Sequence, residues 1–113
     1  MTDADYCPER GDIIWLNFNS QTGKEQMGRR PAFIVSPKEY NSLVGLVLVC
    51  PITSKVKKYP FEVLLPNSMK TKGVIISDQI KSLDWKIREA EFIEKCSNRI
   101  INEVLGKIQL LIE

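Results

Sequence analysis

Seven short apolar runs, each bounded by turn-forming residues, follow one another between Ile13 and Glu94. Ile13–Phe18 (IIWLNF) comes after the Arg10-Gly11 turn and is rich in residues that favour extended backbone. Pro31–Ser36 follows. Leu46–Cys50 (LVLVC) is apolar at every position and so reads as a central strand buried on both faces. Phe61–Leu65 opens after Pro60, Val74–Ser77 follows Gly73, and Gln79–Trp85 and Ile87–Glu94 complete the set. Strands this short, with tight connections, predict a small β barrel rather than a parallel sheet with crossover helices.

The period then changes. Ile100, Ile101, Val104, Leu105, Ile108, Leu111 and Ile112 recur at three- and four-residue steps, the apolar stripe of a helix. Ser97 or Asn98 supplies its N-cap. Such a helix packs across the barrel, or across a barrel edge shared with a second subunit. Pro37–Asn41 has the makings of one further helical turn. The expectation is a single domain over residues 1–113, mainly β with a C-terminal α-helix.

Two loops stand out. Asn19–Arg29 (NSQTGKEQMGR) is polar, contains glycine and exceeds the length usual for a hairpin. Thr53–Tyr59 (TSKVKKY) carries three lysines and an aromatic ring. Long polar loops on a rigid frame are where binding and chemistry concentrate.

Composition narrows the chemistry. The chain has no histidine, which removes the commonest general base and every histidine-dependent nuclease arrangement. The three cysteines, Cys7, Cys50 and Cys96, are far apart and share no metal-ligand spacing, so neither a disulfide nor a metal or other cofactor is expected. Cys50 reads as a small buried hydrophobe. The longest apolar stretch, around Leu43–Ile52, is broken by Gly45 and Pro51 and is too short for a membrane span. The acidic N-terminus lacks a signal-peptide layout, and a cytoplasmic location is expected.

The net charge of +2 conceals an uneven distribution: residues 24–81 hold ten cations against four anions. The middle of the chain is a modest cationic field, suited to a short stretch of phosphate backbone or simply to a solvated lysine-rich surface.

Within that field, proline after Arg30 biases the arginine toward extended backbone and fixes where its side chain starts. A guanidinium is a rigid fork of donors matched to a phosphorane-like transition state. Glu25 stands nearby in the loop, able to pair with Arg30 or take a proton; the plainer reading is a surface ion pair. Thr53, at the end of the most buried strand, is placed to donate to a phosphate oxygen or to close a turn on its own backbone. Lys55, Lys57 and Lys58 beside Tyr59 combine charge with stacking surface, a pairing suited to a flexible single strand. Asp78-Gln79 between two strands is suited to base edges or to a turn. Trp15 and Trp85 are expected in the core or at a dimer interface, and Phe61 in the core.

Taken together, these segments resemble the MazF/PemK (Kid) family of toxin–antitoxin ribonucleases. The stretches that carry the resemblance are Gly11–Trp15, Gly23–Pro31 (GKEQMGRRP), Pro51-Ile52-Thr53, Tyr59–Val63, Gly73–Gln79 (GVIISDQ) and Asn102–Gly106. They cover nearly the whole chain from residue 11 onward. The resemblance implies an SH3-like barrel of the plasmid-maintenance (PemK/CcdB-like) type working as a homodimer. It implies metal-independent, sequence-specific cleavage of single-stranded RNA or mRNA by 2′-hydroxyl attack, leaving 2′,3′-cyclic phosphate and 5′-hydroxyl ends and inhibiting translation and growth. The partner it implies is a MazE-like antitoxin with an acidic flexible tail. Position by position, Arg30 and Thr53 match the principal catalytic residues of the MazF branch and Glu25 a supporting acid. Lys24, Gln26, Arg29, Ser54, Lys55, Lys57, Lys58, Tyr59, Asp78, Gln79 and Lys81 make up the expected RNA-binding surface.

Two positions depart from relatives. PemK-type enzymes carry an arginine two residues before the Asp of the Asp-Gln step, where this chain has Ile76, so the MazF-type arrangement is the better match. Position 29 is arginine where some relatives have histidine. The rival readings are a gyrase-poisoning toxin of the same fold and a non-catalytic RNA-binding barrel. Gyrase poisons depend on a tryptophan close to the C-terminus, whereas this chain ends Gln109-Leu110-Leu111-Ile112-Glu113.

Overall fold

The computed structural model describes residues 5–18 and 28–113. The chain runs β1 (Asp12–Asn17), β2 (Arg29–Ile34), α1 (Lys38–Val44), β3 (Leu46–Thr53), β4 (Glu62–Leu64), β5 (Val74–Ile76), β6 (Lys81–Asp84), β7 (Glu91–Lys95) and α2 (Asn98–Ile112). The strands form one sheet in the order β4-β5-β3-β2-β1-β7, with β6 also paired to β3. Every pairing is antiparallel. This is the mainly β architecture with a C-terminal helix read from the sequence. The sheet is not closed: among the described residues no ladder joins β4 to β7.

Alternation along the strands explains the unbroken apolar runs. On one face Ile13, Phe33, Cys50, Ile52, Val63 and Ile75 pack with Ile100, Val104 and Ile108 of α2. On the other, Ile14, Leu16, Ala32, Ile34, Val47 and Val49 pack with Trp85. Successive residues in the middle of β1, β2 and β3 therefore feed two cores, and the polar side chains of these strands fall at their ends. Burying each such large side chain contributes about 1.5–3 kcal/mol. Ser97 caps α2, its hydroxyl accepting the Ile100 N–H at 3.4 Å.

β3 is the central strand, as its composition requires, and it extends to Thr53. It changes partner along its length: Leu46–Val49 pair with β6, Ile52–Thr53 with β5. The exchange falls at Cys50-Pro51, where proline has no N–H to give to a ladder.

Pro37 is the N-cap of a longer helix than one turn, Lys38–Val44. Its buried Asn41 gives N–H bonds to the Pro8 and Ser36 carbonyls at 2.8 and 3.1 Å, and its own carbonyl accepts the Trp85 indole N–H at 3.0 Å. Trp85 is thus a core residue, 8% exposed, whereas Trp15 is 39% exposed. Phe61 is half-buried.

The run Ile87–Glu94 is only partly strand. The Asp84 carboxylate accepts the Lys86 and Ile87 N–H groups, both at 3.0 Å, and Glu89 adopts φ 56°. This side-chain turn outcompetes extension until Glu91.

Candidate functional site

A cavity of about 380 Å³ opens where β2, β3 and β5 meet the lysine loop. It is lined by Arg30, Pro51, Ile52, Thr53, Lys55, Lys57, Tyr59, Glu62, Ile76 and Gln79. Three cations face one acid there, so the opening is an anion-attracting cleft with an apolar floor.

Arg30 and Thr53 arrive from neighbouring strands. The β2–β3 ladder runs from Ile34↔Val49 to Ala32↔Pro51, and Arg30 and Thr53 lie just beyond that last pair, both lining the cavity. On its other side Arg30 pairs with Leu16 of β1. The arginine is exposed, and among the described residues no side chain or carbonyl holds its guanidinium.

Thr53 is fixed from three directions. It pairs with Val74 of β5. Gly73, at φ +112°, packs so tightly that an added Cβ would lie 2.1 Å from the Thr53 carbonyl oxygen. The Thr53 hydroxyl accepts the Lys55 N–H at 3.1 Å. The turn-closing reading is therefore realised, and it leaves the hydroxyl proton free to be donated into the cleft.

The lysine loop is organised by a residue that the sequence reading passed over. Glu62 accepts the backbone N–H groups of Lys57, Lys58 and Tyr59 at 3.0, 2.9 and 3.4 Å. The available signal was a lone acid at the foot of β4 just after three lysines. At the rim, the Tyr59 hydroxyl donates to Asp78, and the Tyr59 ring tilts against Phe61 at 6.1 Å. That hydrogen bond to the carboxylate, ahead of burial and of the Asp78 charge, raises the Tyr59 phenol above its ordinary pKa. The other Asp78 oxygen is buried without a hydrogen-bond partner among the described residues. Burial, and secondarily the charge of Asp78, pushes the Cys50 thiol up to about 12, so Cys50 is an inert core residue.

Of the residues expected at the site, Arg30, Thr53, Lys55, Lys57, Tyr59 and Gln79 converge on the cavity. Asp78 joins through Tyr59, and Ser54 and Lys58 are exposed on the same loop. Lys81 lies apart, its ammonium 5.6 Å from the centre of the Phe18 ring. Arg29 is engaged elsewhere: its guanidinium donates to Asn17 at 3.0 Å and pairs with Glu91 at 2.9 Å. Lys24, Glu25 and Gln26 lie outside the described residues.

Residues 9–112 match the family of PemK-like, MazF-like toxins of type II toxin-antitoxin systems. The chain is 39% identical to the Escherichia coli K12 endoribonuclease toxin MazF over 107 residues, covering 95% of this chain and 96% of that protein. It is 34% identical to the E. coli endoribonuclease PemK, covering 92% and 81%. Its fold superposes on crystalline MazF from Deinococcus radiodurans with a TM-score of 0.86 at 46% identity, covering 96% of this chain and 98% of that one. The chain belongs to the PemK-like, MazF-like toxin family.

Proposed function

We propose that this chain is the toxin of a type II toxin–antitoxin pair and an endoribonuclease that cuts single-stranded RNA in the cleft between Arg30 and Thr53. The observation that carries the reading is that Arg30 and Thr53 line one cavity together with Lys55 and Lys57. Its close relatives are named as endoribonucleases, and the Deinococcus MazF has also been crystallised with MazE.

In the proposed reaction the ribose 2′-hydroxyl attacks the adjacent phosphorus, and the bond to the 5′-oxygen breaks. The departing 5′-oxygen takes up a proton from water, and a 2′,3′-cyclic phosphate and a 5′-hydroxyl are left. Arg30 neutralises the charge that builds on the five-coordinate phosphorus, and Thr53 donates to a nonbridging oxygen. Glu25 orients Arg30 or takes the 2′-hydroxyl proton. Lys55 and Lys57 hold flanking phosphates, while Tyr59 and Gln79 meet bases. No metal is assigned a step. The same cationic opening suits the acidic tail of an antitoxin, which would occupy it in place of RNA. The protein is proposed to work as a cytoplasmic homodimer.

The test is incubation of purified protein with a long single-stranded RNA in excess EDTA, with Arg30→Ala as control and the new ends mapped. Site-specific cuts with 5′-hydroxyl ends, lost in the variant, are expected. Intact RNA from folded, antitoxin-free protein overturns the reading.

A further inference from the structure

We propose that Glu62 is a positioning residue that shapes the lysine loop into a preformed phosphate-binding edge of the cleft; the proposal rests on the ribonuclease reading above. Both carboxylate oxygens are engaged: one by the Lys57 N–H, the other by those of Lys58 and Tyr59. Glu62 is itself rooted in the sheet, paired with Ile76 of β5, and its own N–H donates to the Tyr59 carbonyl at 3.0 Å. The loop therefore closes on a single side chain that belongs to the rigid frame.

The loop backbone carries the mark of that constraint. Lys58 sits at φ 58°, a left-handed conformation that lysine adopts where surrounding bonds impose it. The far end is held as well, by Lys107 of α2, whose ammonium donates to the Pro60 carbonyl at 2.6 Å. Lys55 and Lys57, the cleft's lysines, lie on the loop fixed in this way.

An acid in an anion-binding cleft needs a reason to be there, since its charge repels a phosphate. Three amide donors supply it by neutralising and orienting the carboxylate. With its lone pairs so occupied, Glu62 is poorly placed to accept a proton from substrate. Its contribution is to the geometry of the lysines, and so to binding rather than to bond breaking. A glutamine there keeps one acceptor oxygen but turns an NH2 group toward an amide that it cannot serve.

The test measures steady-state cleavage of a short single-stranded RNA by wild type, Glu62→Gln and Arg30→Ala at several salt concentrations, with folding checked by thermal melting. For Glu62→Gln, KM is expected to rise about tenfold, with kcat within about threefold of wild type and a shallower salt dependence. For Arg30→Ala, kcat is expected to fall with little change in KM. A Glu62→Gln variant that loses kcat at unchanged KM, or that matches wild type in both, overturns the proposal. Amide hydrogen exchange in the wild type is an independent arm that needs neither cleavage nor a foldable variant. Protection of at least about tenfold at Lys57, Lys58 and Tyr59 is expected, and unprotected exchange there overturns the proposal. Wild type that cuts no RNA yet protects these amides would sink the ribonuclease reading while leaving the loop-shaping role in place.

Discussion

Gly73 and Thr53 stand closer than any side chain at position 73 allows, because a Cβ there would fall 2.1 Å from the Thr53 carbonyl oxygen and 2.9 Å from the Ser54 Cα. Backbone, which cannot swing aside, occupies the space. Gly73→Ala adds that clash to an unfavourable φ, so the variant should lose at least about 2 kcal/mol of stability. Because the displaced atoms belong to Thr53, kcat for RNA cleavage should also fall about 10- to 100-fold in the fraction that remains folded. Chemical denaturation and single-turnover cleavage check the two halves separately.

Arg30 is exposed, so Arg30→Ala should leave the melting temperature within about 3 °C of wild type. Its kcat should fall by about 10²–10³, the scale for removing one preorganised donor from a charged transition state. Arg30→Lys restores the charge without the planar fork and should recover only part of the loss. Full recovery with lysine would show that a point charge suffices.

Glu94 ties a loop to β7 by accepting the Lys70 and Thr71 N–H groups at 3.1 and 2.7 Å. Burial alone would raise its pKa, but the hydrogen bonds from Thr71 and Lys70 outweigh it and hold the carboxyl below its usual 4.5. A depressed folded value means that the contribution to stability is complete above the unfolded pKa and disappears as pH falls through the folded one. Glu94→Gln should therefore destabilise at neutral pH and flatten the fall in melting temperature below about pH 4.5. Parallel acid-limb slopes for the two proteins would contradict this.

All three cysteines are free, yet they should react very differently. Burial is the main cause that raises the Cys50 and Cys96 thiols to about 12 each, so at pH 8 almost no thiolate is present at either. Burial raises the Cys7 thiol as well, but this cysteine is only half-buried and a reagent can reach it. A chromogenic thiol reagent should titrate one cysteine rapidly in the native protein and all three after denaturation. Rapid reaction at Cys50 would show that the core beneath α2 opens in solution.

The frame was legible because its signals are local. LVLVC has no polar face, so a strand covered on both sides was its only comfortable home, and β3 is that strand. The stripe from Ile100 to Ile108 likewise demanded a helix with one buried side. The stop before Glu91 was not legible, since it depends on an Asp84 turn that competes with good strand formers. Arg29 and Arg30 show the same limit at the site. Neighbours on a strand point to opposite faces, so Arg30, singled out by the proline after it and by the resemblance, and Arg29, expected on the RNA-binding surface, cannot both face the cleft. The structure turns Arg29 to Asn17 and Glu91 and gives Arg30 to the cavity. Glu62 was overlooked because its partners are backbone amides, which any loop possesses.

With both faces of the sheet covered by apolar side chains, little of this small molecule is left free to diverge. A change at the middle of β1, β2 or β3, as at Ile13 or Ile14, Phe33 or Ile34, Val49 or Cys50, disturbs one core or the other, whichever way the side chain points. The side chains of the lysine loop, exposed from Ser54 to Tyr59, are under no such restraint. The stretch after Thr53 is instead held by bonds to its backbone, from Glu62 and Lys107, so its side chains can change with little effect on either core.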